Sequence, residues 1–120
     1  MTSNQGSGEV RPGEIVWANV VNGCERRGTT GKERPVVVVE VPKDGGCLRV
    51  VGLTSRSRTV HGAARRSLRC SNLPRRSYIF SERLTSVARH DVYERIGRIE
   101  PSEARVISEQ FDLPSDWSER

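Results

Sequence analysis

Aromatic residues are scarce in this 120-residue chain, which has two each of Trp, Tyr and Phe. A core must therefore be built mainly from Val, Ile and Leu, and a hydrophobic content of 34% over this length suits one domain of modest core. No apolar run approaches the ~20 residues of a membrane span. The segment Met1–Gly8 is polar and glycine-rich and lacks the apolar stretch of a secretory signal. We therefore expect a disordered lead-in over residues 1–10, no membrane association and a cytoplasmic location. Cys24, Cys47 and Cys70 form an odd set that fits a reducing compartment. With no C-x-x-C pair and with His61 and His90 isolated, the spacing argues against structural zinc. Cys47, inside an expected strand, reads as a small core residue.

Acidic residues are missing from one long stretch. Arg56, Arg58, Arg65, Arg66, Arg69, Arg75 and Arg76 follow one another with no Asp or Glu between them, interleaved with Ser, Gly and Ala. That is a loop composition, and it concentrates the net charge of +5 in one place. Such a loop favours a polyanion, whose binding releases counterions and weakens steeply with salt. The plain alternative is a solvated loop with no partner.

What the chain does have is a strongly marked pair of strands. Gly31-Lys32-Glu33-Arg34-Pro35 runs straight into Val36-Val37-Val38-Val39, and Val50-Val51-Gly52-Leu53-Thr54-Ser55 follows a short loop later. Four valines are stiff at χ1 and suit a pleated surface, so this strand is expected to be buried on both faces. Pro35 lacks an N–H and fits the first rung of a strand, which puts Arg34 at its mouth. Val41-Pro42-Lys43-Asp44-Gly45-Gly46 carries turn chemistry, so the two strands are expected to form an antiparallel hairpin. In a hairpin the start of one strand and the end of the next share a rim, so Arg34 and Thr54 can share a site.

Further strands are expected over Glu14–Val20, with Ile15, Trp17 and Asn19 on one face, and over Arg34–Val41, Cys47–Leu53, Arg76–Phe80 and Val92–Ile99. Ser81–Val87 reads equally as an extended segment or a short helical turn. A helix begins at Pro101, with Glu103 near its positive end and Ala104, Ile107 and Phe111 on one face, and Pro114 stops it. Trp117 beyond it is either a tail anchor or exposed.

Gly13-Glu14-Ile15-Val16-Trp17, the Gly-Lys-Glu-Arg-Pro-Val-Val-Val-Val strand, Gly52-Leu53-Thr54-Ser55, the basic loop and the C-terminal helix together resemble the MazF/PemK/Kid toxin family. The resemblance implies a mainly β fold, a small SH3-like barrel of the MazF/CcdB kind with a C-terminal helix packed on it. It also implies a barrel domain over residues 11–113, followed by a tail over 114–120. By the same resemblance the chain is a homodimeric endoribonuclease that cuts single-stranded RNA without a metal or other cofactor and is restrained by an acidic antitoxin protein. Arg34 takes the place of the family's catalytic arginine and Thr54 that of its catalytic hydroxyl residue, with Ser55 beside it. Two positions depart from the common pattern: Thr29 stands where many members carry Glu, and Thr85 where many carry Arg.

Metal-free cleavage proceeds by attack of the ribose 2′-hydroxyl on the adjacent phosphate, leaving a 2′,3′-cyclic phosphate and a 5′-hydroxyl. A guanidinium fork suits the charge that builds on the phosphoryl oxygens, and Thr54 suits a hydrogen bond to the same group. Ser55, Arg56, Arg58, His61, Arg65 and Arg66 are the expected RNA contacts, since their loop follows Thr54 directly. No convincing general base is evident: Glu33 points away from Arg34 by strand alternation, and His61 is a lone loop histidine. Two other readings stay open, a catalytically silent RNA- or protein-binding barrel and a poison of DNA gyrase built on the same fold.

Overall fold

The computed structural model describes residues 10–20, 32–70, 72–73, 76–80 and 83–120. Residues 1–9 of the expected 1–10 lead-in, together with Cys24, Thr29 and Arg75, lie outside the described residues. Among the described residues, seven strands, β1 (Glu14–Val20), β2 (Lys32–Glu40), β3 (Leu48–Thr54), β4 (Ser67–Leu68), β5 (Ser77–Ile79), β6 (Thr85–Val87) and β7 (Val92–Arg98), precede one α-helix, α1 (Pro101–Phe111). All pairings are antiparallel, in the order β4-β5-β3-β2-β1-β7. The far edge of β3 is shared: β6 pairs with its first half and β5 with its end. This curled antiparallel sheet with a single C-terminal helix is the small barrel-like architecture expected.

The valine run serves two cores at once. Val37 and Val39 join Ile15, Leu53, Ile79, Ile107 and Trp117 on the side that α1 covers. Val36 and Val38 join Val16, Ala18, Leu48, Val50 and Val87 on the other. All four valines are buried, as strand alternation with both faces covered requires. On β1 the more completely buried alternate set is Val16, Ala18 and Val20, while Trp17 and Asn19 are only half-buried.

Two regions owe their form to distant pairing. Residues 85–87 are extended, because β3 offers them a free edge. The pairing of β7 with β1 shifts register between Ile15 and Val16 and again between Trp17 and Ala18, so two irregularities break the period of two that β7 would otherwise show. Cys47 corrects an expectation: β3 starts at Leu48, and Cys47 lies exposed in the run that follows the turn. Alternation from Leu48 buries Leu48 and Val50 and leaves Arg49 outside, so the core starts one residue later than the sequence suggested.

The helix starts on Pro101 with Glu103 in its first turn and ends with Asp112 in the left-handed conformation at φ 57°. Ala104 and Ile107 face the core. Trp117 is an anchor: it is buried, and its indole N–H donates to the Ala104 carbonyl at 3.0 Å. Among the described residues, no helix is long and apolar enough to cross a membrane.

Candidate active site

The register of the central hairpin sets the site. Val36 lies opposite Gly52, and two positions outward the same antiparallel register brings Arg34 beside Thr54. Arg34 shares a sheet face with Val36 and Val38, so its side chain leaves the sheet where the second core ends. Both residues line one open cavity of about 230 Å³, together with Arg56, Arg58 and Arg65.

Arg34 is only 9% exposed. No carboxylate among the described residues pairs with it; Glu40, six positions along the strand, pairs instead with Arg49 at 3.9 Å. The Nε atoms of both Arg34 and Arg65 are buried without a hydrogen-bond partner. Burial lowers the pKa of Arg34 from its ordinary value, and the positive charge of Arg65 lowers it further. The guanidinium stays protonated at any ordinary pH, so the site holds an uncompensated positive charge that an anion would relieve.

The basic segment is a folded hairpin. Arg58 bridges Ala64, the Thr59 N–H donates to the Ala63 carbonyl at 2.9 Å, and the Arg65 N–H donates to the Ser57 carbonyl at 2.8 Å. Thr59 Oγ1 accepts from the N–H groups of His61 and Ala63, and Gly62 sits at φ +87°, a conformation that favours glycine. Arg65 reaches back across this hairpin, its Nη1 donating to the carbonyls of Arg56 at 3.2 Å and Arg58 at 2.8 Å. At the root of the hairpin Thr54 Oγ1 accepts the Arg56 N–H at 3.2 Å, which leaves the Thr54 hydroxyl proton free to be donated elsewhere.

Of the other expected contacts, Ser55 and His61 are exposed and do not line the cavity; His61 stands at the hairpin tip next to Val60, which is 91% exposed. Arg66 turns to the helix and pairs with Glu109 at 3.4 Å. Thr85 lies on β6 opposite Val50, away from this cavity. Sequence reasoning missed Phe80, Thr59 and Val60, which complete the lining. Phe80 follows β5 and donates its N–H to the Gly52 carbonyl at 2.8 Å, and its ring lies under the Arg34 guanidinium, 3.9 Å from Cζ to the centroid. The one available signal was that Phe80 ended an expected strand, Arg76–Phe80, whose pairing partner the sequence did not name.

Arg34 and Thr54, the two residues the family resemblance singles out, thus stand at one rim beside further cations on an adjoining hairpin. A family model described as PemK-like, MazF-like toxin of type II toxin-antitoxin system matches residues 11–113. The chain belongs to that family. No curated protein matches it. Membership makes the chain the toxin half of such a pair, in a family whose members are typically endoribonucleases, and it implies an antitoxin partner and usually a dimer.

Proposed function

We propose that the chain is a metal-independent endoribonuclease that cuts single-stranded RNA at the Arg34–Thr54 cavity, with messenger RNA as its substrate and growth inhibition as the outcome. The observation that carries this reading is Arg34 itself, a buried cation that faces a cavity and has no carboxylate among the described residues to neutralise it. Burying such a charge destabilises a fold unless something outside completes it. A phosphodiester has the charge and the paired oxygens that do so.

In this reading the scissile phosphate sits between Arg34 and Thr54. The ribose 2′-oxygen attacks phosphorus and gives up its proton to water, the bond from phosphorus to the 5′-oxygen breaks, and that oxygen takes up a proton. The products are a 2′,3′-cyclic phosphate and a 5′-hydroxyl. Arg34 stabilises the charge that grows on the phosphoryl oxygens, and the Thr54 hydroxyl donates to the same group. Arg56, Arg58 and Arg65 hold the flanking backbone, which in a flexible single strand bends to fit the hairpin.

No carboxylate or imidazole appears among the described lining residues, and this favours a second reading, a barrel that binds RNA without cutting it. Incubation of a long RNA in EDTA, with product ends identified chemically and binding measured alongside, separates the two. Cyclic-phosphate ends that disappear in Arg34→Ala support the nuclease; salt-sensitive binding with intact RNA supports the silent barrel.

A further inference from the structure

Two guanidinium groups of like charge meet at one aromatic ring. The Cζ of Arg34 stands 3.9 Å from the Phe80 centroid and that of Arg65 stands 5.1 Å from it. Burial lowers the pKa of Arg34 and the nearby charge of Arg65 lowers it further, so two like charges that repel must be held together. Arg65 is tethered by the carbonyls of Arg56 and Arg58. The Phe80 ring packs against the head of Arg34.

The chemistry of that contact matters. A carboxylate in the place of Phe80 would hold Arg34 equally well, but it would neutralise the charge and occupy the N–H fork needed for a phosphate. The face of a ring attracts the cation through its quadrupole and takes up none of its in-plane donors. The ring also has a cleared floor. Phe80 bonds to the Gly52 carbonyl, and a Cβ on Gly52 would lie 3.6 Å from the Cβ of Phe80 and 3.9 Å from its ring, so a side chain larger than a methyl would displace it.

We infer that Phe80 is a positioning residue, whose ring aligns the Arg34 and Arg65 guanidiniums so that both present free N–H donors to one RNA phosphate. This rests on the nuclease reading for its catalytic consequence, but its geometric content is independent of cleavage.

The test uses two readouts on the full chain. The first is the salt dependence of binding to a single-stranded 2′-deoxy oligonucleotide, which lacks the attacking hydroxyl and stays intact. In Phe80→Leu the slope of log K against log salt becomes shallower by about 0.7 to 1.4, the loss of one or two phosphate contacts on a single strand. Phe80→Tyr keeps the ring face and keeps the wild-type slope. Arg34→Ala/Phe80→Leu binds no more weakly than Arg34→Ala carrying the same loss at Arg65, supplied by Arg34→Ala/Arg65→Ala. The second readout is RNA cleavage, in which Phe80→Leu lowers kcat on the order of tenfold at unchanged folded fraction, and Phe80→Tyr restores it. Wild-type slopes in Phe80→Leu would overturn the inference, as would losses in Leu and Tyr variants that merely track the fraction unfolded, or wild-type binding that ignores salt. A wild type that binds with the expected slopes but leaves RNA uncut would overturn the nuclease reading alone.

Discussion

Two buried charges in this small domain meet opposite fates. Glu14, at the start of β1, is 6% exposed and fully partnered: one carboxylate oxygen accepts from Arg95 at 2.9 Å and the other from the Arg11 N–H at 2.9 Å. Arg34, near the other end of the β1–β2 pairing opposite Ala18, is buried almost as deeply, with the Phe80 ring beneath it and no carboxylate partner among the described residues. The first charge ties the chain's beginning to β7 and points to nothing outside the molecule. The second is left incomplete beside a cavity. Burial alone therefore does not mark a functional charge, and our proposal for Arg34 rests on burial without a counter-charge, facing open space.

The sharpest way to test the contrast is to remove each charge. Arg34→Met should reduce RNA cleavage by about 10²–10³. The same variant should keep the fold or strengthen it by up to ~2 kcal/mol in urea unfolding, because an apolar side chain replaces an unpaired buried charge. Arg95→Ala should do the reverse. It leaves the Glu14 carboxylate without its counter-charge and should lower unfolding stability by about 1–3 kcal/mol, with cleavage per folded molecule unchanged. If Arg34→Met unfolds the protein and Arg95→Ala does not, the two charges have been assigned the wrong way round.

Thr54→Val keeps the shape and removes the donor, and should slow cleavage by about 10- to 100-fold, the value of one hydrogen bond to a charged group. RNA binding should change far less. The smallest effect concerns Cys70, a buried group that meets the same difficulty by staying neutral. Burial first, then Glu103 and Glu100, pushes its thiol up to about 11. The unfolded thiol ionises in its ordinary range near 8.5 while the folded one does not, so deprotonation favours the unfolded state. Wild type should therefore lose stability relative to Cys70→Ala as pH rises from about 8.5 toward 11, and the two should run parallel below that range.

Much of the frame was legible. The valine run, Pro35 and the Asp-Gly turn were local signals, and local signals fix a hairpin; the hairpin in turn brings Arg34 and Thr54 to one rim. The helix carried its own start, apolar face and stop. What stayed hidden depended on distant pairing. Phe80 meets Arg34 only because β5 lies along the end of β3, and no spacing rule links residues 34 and 80. The basic stretch looked like an open loop because its order comes from backbone bonds within 57–65 and from arginines bonding to carbonyls, none of which leaves a hydrophobic period. Cys47 was misjudged by a single position, and at a strand start one position decides which side of the boundary a residue occupies.

The valine run has a consequence for how securely the arginine is aimed. Four identical side chains between two apolar layers would fit almost as well after sliding by one place, since neither layer would meet water. The strand's own middle thus says little about its alignment. That task falls to the connection at the opposite end, where the Asp44 carboxylate accepts the Gly46 N–H, Gly45 takes φ +87°, and Arg89 donates to the carbonyls of Pro42 and Gly46. Lengthening that turn by one residue would swing the guanidinium to the wrong side of the sheet from roughly 20 Å away, six strand steps of about 3.3 Å. The aim of the arginine is thus set by a turn that never touches it.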